Sequence, residues 1–166
     1  MSSTLDSAIP KIVDFGLSKI IGPKQTATEP FGTLGYVAPE VLKKQPYTFS
    51  CDVWSIGCII YALISGALPF DHSDQKELMR MTLEDSVKFE MSVWERTSTN
   101  CKRLVQDMLQ KDISKRISLD QAVAYPFFDS VRALYVPKWP PHIKLLVEHI
   151  GAFNLSLKIN LSSVNK

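Results

Sequence analysis

The sequence predicts a mainly α-helical fold with one short strand. Apolar residues recur at helical spacing in several segments, and residues that start and stop helices stand at the ends of those segments. Residues 11–13 form a short β-branched run, the one segment that reads as a strand. With 166 residues, 45% of them hydrophobic, the chain is long enough for one compact domain over 1–129 and a tail over 130–166.

Composition excludes several classes of protein. Lys plus Arg is 19 and Asp plus Glu is 17, so a net charge of +2 gives no field that indicates nucleic acid. The longest apolar stretch, 53–64, is too short to span a membrane. The three cysteines are odd in number and lack C-x-x-C spacing, which favours neither a disulfide framework nor a zinc site. We expect a soluble, cytoplasmic protein without nucleic-acid or membrane partners.

The N-terminal part is predicted to be a strand, a turn and a long loop. The strand over 11–13 ends at Asp14-Phe15-Gly16, and residues 17–37 contain glycines and prolines without apolar periodicity. Loops of this length in compact domains are usually functional or disordered. Pro39 then opens a short helix over 40–44.

A central helix follows, with Thr48 or Ser50 as its N-cap and Gly66 as its C-terminal stop. Its apolar residues lie on all sides, which is typical of a helix in the middle of a domain.

Further helices are predicted over 75–83, over 101–109 with Ser98 or Thr99 as cap, and after Ser118. Ser118 and Gln121 have capping-box spacing, and Pro126 ends that helix near residue 125. After a proline-rich spacer, a short helix is possible over 142–153.

Four short motifs occur in order, with predicted helices between them. They are Asp14-Phe15-Gly16, Ala38-Pro39-Glu40, Asp52-Val53-Trp54-Ser55-Ile56-Gly57 and Lys115-Arg116. Each is weak alone, but together they make residues 11–128 resemble the eukaryotic protein kinases. The resemblance implies the C-terminal lobe of that fold, starting at the strand before Asp14 and without the N-terminal lobe. Residues 1–129 would then be a partial kinase domain.

The resemblance also implies a chemistry, the transfer of the ATP γ-phosphate to protein serine or threonine. Asp14 would bind Mg²⁺ that bridges the ATP phosphates, Phe15 would pack into the core, and Gly16 would allow the turn. Thr33, followed by Tyr36, resembles the serine/threonine kinases, in which this threonine bonds the catalytic aspartate. Among these kinases the chain resembles the calcium/calmodulin-dependent group.

Other positions are expected to have structural roles in such a kinase. Glu40 and Arg116 would form a buried ion pair, and Asp52 would cap backbone amides of the catalytic loop. Ile59 and Leu63 would lie beneath the column of side chains that leads to the adenine.

Residues 17–37 correspond to the activation segment, which contacts the protein substrate. Many relatives have a phosphorylatable residue three positions before the glycine at Gly32, where this chain has Glu29. A carboxylate carries about half of a phosphate's charge, so Glu29 could replace the phosphate. The alternative is that the loop shifts and Thr28 or Thr26 is the phosphorylation site.

Several family motifs are missing from these 166 residues. There is no Gly-rich loop, no assignable ATP-binding lysine and no H-R-D catalytic loop. We therefore expect this chain alone to be inactive, to bind ATP and Mg²⁺ weakly, and to expose apolar surface that promotes aggregation. Either a truncated gene model or a genuine short product would give such a chain. A non-catalytic, kinase-like binding module or pseudokinase fragment is the alternative function.

The tail suggests one further partner. Leu146, Ile150 and Phe153 form a short apolar face beside Lys144. Calmodulin or another calcium-regulatory contact is one interpretation, and a packing helix is the other.

Overall fold

The computed structural model describes residues 12–22 and 24–129, and the backbone of 159–163. In this part of the chain helices predominate, so the prediction of a mainly helical fold is confirmed. The elements are β1 (Leu17–Ile20), α1 (Pro39–Leu42), α2 (Ser50–Ser65), α3 (Gln75–Glu84), α4 (Ser92–Glu95), α5 (Thr99–Met108), α6 (Leu119–Val123), a 3-10 turn (Pro126–Phe128) and β2 (Ile159–Ser163).

Most of the predicted helix ends are confirmed. Gly66 closes α2 in the left-handed conformation, with φ at 75°. The Ser98 hydroxyl accepts from the Cys101 amide at the start of α5, and Ser118 and Gln121 form the reciprocal capping box of α6. Pro39 stands in the first turn of α1 as predicted, although that helix covers 39–42 rather than 40–44.

The predicted cap of α2 is wrong. Phe49 occupies the N-cap position and makes no side-chain hydrogen bond to the helix, whereas Ser50 is already the first helical residue. The amides of Cys51 and Asp52 donate instead to the carbonyls of Thr48 and Phe49, at 3.2 and 3.0 Å. A backbone turn thus satisfies the donors that a side-chain cap would have served.

The strand lies later than the β-branched run predicts. Ile12 and Val13 are not in a strand and are 71% and 75% exposed, while Lys11 lies outside the described residues. The strand β1 begins after the turn at 14–16 and pairs antiparallel with β2. A β-branched sequence forms a strand only where a partner backbone is available, and in the described residues that partner lies beside 17–20.

The core is built around the contact between α2 and α5. One cluster contains Trp54 and Tyr61 of α2 with Trp94 of α4, and a second contains Val53 of α2 with Leu104 of α5. A Cβ on Gly57 would meet side-chain atoms of Leu109 and Met108 at 3.0 Å, so a glycine permits the close approach of the two helices. This contact forms the helical base against which the segment 17–37 packs.

One side of α2 is uncovered, although apolar residues on all sides are typical of a helix in the middle of a domain. Ile59 is 46% and Leu63 is 80% exposed, whereas Cys58 and Tyr61 are buried. Among the described residues, α4 and α5 cover the opposite side of the helix and no element covers Leu63. The apolar pattern of α2 therefore exceeds what its neighbours here can bury.

The short helix α4 was not predicted from the sequence. Its Trp94 is fully buried and contacts Tyr61 and Phe89, with ring centroids 4.8 Å apart in each pair. The helix expected over 142–153 lies outside the described residues, as do Lys144, Leu146, Ile150 and Phe153. No helix in the described part is both long and apolar enough to cross a bilayer.

Candidate functional site

A cavity of about 1300 Å³ opens between the turn at 14–16, the loop that follows β1, the start of α2 and the start of α6. Its wall is largely apolar. The sequence-predicted site residues on this wall are Asp14, Phe15, Thr33, Asp52, Ile59 and Arg116. The structure thus brings together residues from three of the four motifs, which are far apart in sequence, with Thr33 and Ile59.

The turn that carries Asp14 has an unusual backbone. Asp14 has a φ of 63°, in the left-handed region, and its Oδ1 accepts from the Gly16 amide at 3.4 Å. The amide and hydroxyl of Ser18 both donate to the Phe15 carbonyl, at 3.0 and 2.7 Å. Left-handed residues other than glycine are uncommon, and strain of this kind concentrates at functional sites. The turn presents the Asp14 carboxylate, which is exposed, to the cavity.

Phe15 does not pack into the core, contrary to the expectation. It is 47% exposed and lies on the cavity wall. Among the described residues no helix covers this turn, because α2 stands across the cavity from it.

The segment over residues 17–37 is held against the helical base at several points. Ala27 and Tyr47 form an isolated antiparallel bridge with two backbone hydrogen bonds of 2.9 Å. The Tyr47 hydroxyl donates to the Glu29 carbonyl at 2.6 Å, and the Ser55 hydroxyl of α2 donates to the Tyr36 carbonyl at 3.0 Å. These contacts hold both ends of the segment that contains Thr33.

Two glycines shape the loop around Thr33. Gly32 and Gly35 have φ values of 135° and 93°, which side chains disfavour. A Cβ on Gly32 would meet Val37 Cγ2 at 2.6 Å, and one on Gly35 would meet Leu68 Cδ1 at 2.9 Å. The loop can therefore fold tightly against its neighbours, which leaves the side chain of Thr33 exposed at the cavity.

Glu29 forms an ion pair with Lys19 of β1. The Lys19 ammonium donates to both carboxylate oxygens, at 2.7 and 2.9 Å, and the Thr28 amide donates to Oε2 at 3.1 Å. Lys19, followed by the backbone amides of Glu29 and Thr28, lowers the pKa of Glu29 from 4.5 to about 2. Thr26 and Thr28 are exposed on either side of the buried Ala27.

Glu40 and Arg116 form a buried bidentate ion pair. Arg116 Nη1 and Nη2 donate to Glu40 Oε1 and Oε2 at 2.6 and 3.0 Å, and both side chains are at most 1% exposed. Arg116 also donates to the carbonyls of Gln110 and Ser50, and its guanidinium lies 5.2 Å from the centre of the Trp54 ring. The pair connects α1 to the segment before α6, across 76 positions of sequence.

The remaining predicted residues lie on α2. Asp52 is half-buried in the first turn of the helix, where a carboxylate interacts favourably with the helix dipole. Ile59 faces the cavity, whereas Leu63 is exposed and does not line it. The roles expected for these three residues stay predictions.

Carboxylates at the cavity are the side chains that could bind a metal ion. Within the described ranges no three His, Cys, Asp or Glu side chains cluster closely enough to hold a metal. Mg²⁺ in nucleotide sites is commonly held by one or two carboxylates together with phosphate oxygens and waters. The exposed Asp14 carboxylate at the cavity fits one such ligand.

Sequence reasoning missed two residues of this site, Lys19 and Tyr47. Lys19 stands within a strand, and the ten-residue spacing between Lys19 and Glu29 is not a spacing that any regular element produces. Tyr47 lies just before α2 in a segment without periodicity. The alternation of side chains along β1 could place Lys19 on one face, but no local pattern could identify its partner.

Comparisons with known proteins agree with the motifs. The family model described as "Protein kinase domain" matches residues 3–128. Three relatives are Rhodopsin kinase grk7-b from Danio rerio, 37% identical over 79% of this chain, the calcium/calmodulin-dependent serine/threonine-protein kinase 1 of Oryza sativa subsp. japonica, 34% over 82%, and calcium-dependent protein kinase 12 of Arabidopsis thaliana, 37% over 76%.

The matches cover only part of these relatives. The chain spans 25%, 22% and 26% of their respective lengths. They include serine/threonine kinases named for calcium and a rhodopsin kinase, so similarity does not single out one group. Because the family model covers more than half of the 166 residues, this chain belongs to the protein kinase domain family.

Proposed function

We propose that this chain is the activation-segment side of a serine/threonine protein kinase, which transfers the γ-phosphate of ATP to a protein hydroxyl. One observation carries the proposal: Asp14 and Thr33 face the same cavity, and Arg116, in the wall of that cavity, pairs with Glu40. Catalysis of phosphoryl transfer depends on groups held in fixed positions, and here a carboxylate and a hydroxyl line one cavity that has the buried ion pair in its wall.

Each residue has a definite task in this proposal. Asp14 would hold Mg²⁺, which with ATP supplies the phosphoryl group and neutralises its charge. The exposed Thr33 hydroxyl would bond the catalytic aspartate and so orient the group that faces the substrate hydroxyl. The Glu40–Arg116 pair keeps α1, directly after the activation segment, fixed against α2 and α6.

The test is a phosphotransfer assay on the natural polypeptide that carries this sequence. With labelled ATP, Mg²⁺ and a mixed protein substrate, we expect label on serine and threonine. Asp14→Asn should abolish transfer, whereas Asp71→Asn, a matched change of an exposed aspartate on the loop before α3, should not. Equal activity of both variants would contradict the assignment of Asp14.

A second candidate is a kinase-like binding module that captures protein partners without catalysis. Its support is the largely apolar wall of the cavity, where Phe15 and Ile59 are 47% and 46% exposed and a protein partner could bury them. The same assay distinguishes the two. Partner binding without transfer by the natural polypeptide supports the module, whereas transfer by the 166-residue chain alone would show that the missing motifs are dispensable.

Calcium control is a finer proposal within the kinase assignment. Its support is that two relatives at 34% and 37% identity are named calcium-dependent kinases. We expect the natural polypeptide to be activated by Ca²⁺, alone or with calmodulin, and the activation to be reversed by a chelator. Activity that is unchanged by both additions would exclude this group.

The cysteines support an intracellular location. Cys51, Cys58 and Cys101 are buried, and no disulfide joins any two of them. Burial raises the pKa of the Cys58 thiol to about 12, and those of Cys51 and Cys101 are raised by the same cause. Thiols of this kind persist in a reducing compartment, so we propose that the protein is cytoplasmic. Fluorescence microscopy of the tagged natural polypeptide tests this.

A further inference from the structure

We propose that Lys111 is a modification site, at which a small acyl group delivered by a thioester becomes bound to the side-chain amine and loosens the C-terminal end of α3. Lys111 lies shortly after α5 and does not line the cavity. The proposal therefore goes beyond the phosphotransfer function proposed above, and its tests need no kinase activity.

The amine of Lys111 is attached to the last turn of α3. Its Nζ donates to the Met81 carbonyl at 3.0 Å and to the Thr82 carbonyl at 2.7 Å, across 30 and 29 positions of sequence. It also lies 4.9 Å from the centre of the buried Phe70 ring. The last four carbonyls of a helix have no partner within the helix, and a cation beside them is favoured by the helix dipole. Lys111 thus caps the end of α3 from a distant part of the chain.

The surroundings of Nζ favour the neutral amine, which is the nucleophilic form. The hydrogen-bond partners of Lys111 are neutral carbonyls, and in the described part of the chain no carboxylate forms an ion pair with it. Burial is the main cause that lowers the pKa of Lys111 from 10.5 to about 8. The carboxylates of Asp85 and Glu84 oppose this shift. The cations Lys43 and Arg80 add to it. A lysine desolvated in this way is an activated nucleophile.

The chemical step needs an acyl thioester as its co-reactant. The lone pair of the neutral amine attacks the thioester carbonyl, the C–N bond forms and the C–S bond breaks. The nitrogen gives up one proton and the sulfur leaves as the thiol, so the step needs no oxidant or reductant. Deprotonation of the ammonium leaves two N–H groups, as many as the two carbonyls accept, and one lone pair for the attack.

Acylation would weaken the attachment of α3. The amide product has no charge and keeps one N–H group, so one of the carbonyls of Met81 and Thr82 loses its donor. The contact with the Phe70 ring loses its cation as well. Because α3 also contacts α1, the change would reach the helix that follows the segment 17–37.

The first test compares Lys111 with Lys115 in the natural polypeptide. Lys115 lies four positions later, is 72% exposed and pairs with Asp112, so it represents a surface lysine. The protein is incubated with acetyl coenzyme A, and mass spectrometry of its peptides gives the acetylation rate at each lysine. At about pH 7.5 an amine of pKa about 8 is roughly one quarter neutral, against about one part in a thousand for an amine of pKa 10.5.

We expect acetylation of Lys111 to be on the order of tenfold faster than that of Lys115, because weaker basicity and partial burial offset part of the gain in neutral amine. The Lys111 rate should rise up to about pH 8 and level off above it. In urea the two lysines should react equally fast. A Lys111 no faster than Lys115, a Lys111 rate that keeps rising well above pH 8, or a difference that persists in urea would overturn the site.

The second test asks whether loss of the charge loosens α3. Lys111→Gln imitates the acylated side chain, Lys111→Arg keeps the charge, and Lys115→Gln is the matched control. Amide hydrogen exchange over residues 75–85 of the natural polypeptide should be roughly two- to fivefold faster in Lys111→Gln, as for the loss of one hydrogen bond, and unchanged in Lys115→Gln. Lys111→Arg should stay closer to the wild type.

Wild-type protein acetylated in the first test should show the same faster exchange, which keeps the result independent of any folding defect in a variant. Exchange over 75–85 that is unchanged in both the acetylated protein and Lys111→Gln would overturn the proposed effect on α3, as would equal exchange in Lys111→Gln and Lys111→Arg.

Discussion

Two ion pairs of nearly equal length stabilise different parts of this molecule. Glu40 and Arg116 meet at 2.6 Å, at most 1% exposed, and connect residues 76 positions apart. Lys19 and Glu29 meet at 2.7 Å, 31% and 41% exposed, and connect residues ten positions apart. The two pairs have nearly the same N–O distance and differ instead in how far their side chains are buried. Removing one partner of a buried pair leaves an uncompensated charge inside the fold, whereas a half-exposed pair can hold a loop without the fold depending on it.

The largest effect is expected from Glu40→Gln. The change keeps the shape of the side chain but leaves the Arg116 charge buried without a carboxylate, which costs about 3–5 kcal/mol of unfolding free energy. Urea unfolding at pH 7 measures it. Glu77→Gln, which removes a half-exposed partner of Arg80 on α3, is the control and should have little effect. Equal losses in the two variants would contradict the special role of burial.

Replacing both partners of the buried pair should do less damage than removing one. A Glu40→Leu, Arg116→Met variant leaves no buried charge, so it should recover part of the lost stability. Recovery should be incomplete, because the carbonyls of Gln110 and Ser50 lose the donor that Arg116 provides. A double variant less stable than Glu40→Gln, by urea unfolding, would contradict this reasoning.

Lys111 is a partly buried cation that, unlike those in the two ion pairs, is held by backbone carbonyls. Its ammonium donates to the Met81 and Thr82 carbonyls at 3.0 and 2.7 Å and lies 4.9 Å from the centre of the Phe70 ring. Burial lowers its pKa from 10.5 to about 8. Between those values the unfolded state binds more protons than the native state, so stability should rise with pH from about 8 to 10.5.

Urea midpoints measured across that window test Lys111. Lys111→Met should remove part of the rise, and Lys115→Met, a change of an exposed lysine, should not. An identical pH dependence in both variants would show that the native state holds Lys111 no differently from a lysine in water.

The smallest effect is expected on the uncovered face of α2. Leu63 is 80% exposed, so Leu63→Gln should change the unfolding free energy by less than about 0.5 kcal/mol while reducing self-association. Tyr61→Gln, on the buried face of the same helix, should be strongly destabilising. Urea unfolding and light scattering measure the two properties. A large loss of stability in Leu63→Gln would mean that this face is covered.

Local signals explain which parts of the fold could be predicted. Gly66, Ser98 and the Ser118–Gln121 capping box act within four residues of themselves, and all three predicted ends are confirmed. Phe49 caps α2 without a side-chain bond, and β1 forms only where a partner backbone lies beside it. These features depend on tertiary neighbours, which sequence periodicity does not contain.

The residues of the candidate site also fall into two groups, those that local sequence could identify and those that tertiary neighbours place there. Asp14, Thr33, Glu40 and Arg116 could be identified because they stand in short motifs in a fixed order. Lys19 and Tyr47 could not, because loop geometry brings them to Glu29 and no motif or helical spacing marks them. The exposure of Phe15 was also beyond prediction, since it depends on which elements surround the cavity.

Amide hydrogen exchange on Glu29→Gln and Glu40→Gln tests the central claim most directly, that the half-exposed ion pair holds only the segment around it whereas the buried pair holds the fold. We predict that Glu29→Gln speeds exchange only within about residues 24–37, whereas Glu40→Gln speeds exchange across α2 and α5 as well. Exchange that is unchanged within 24–37 in Glu29→Gln, or faster throughout the chain, would contradict the account.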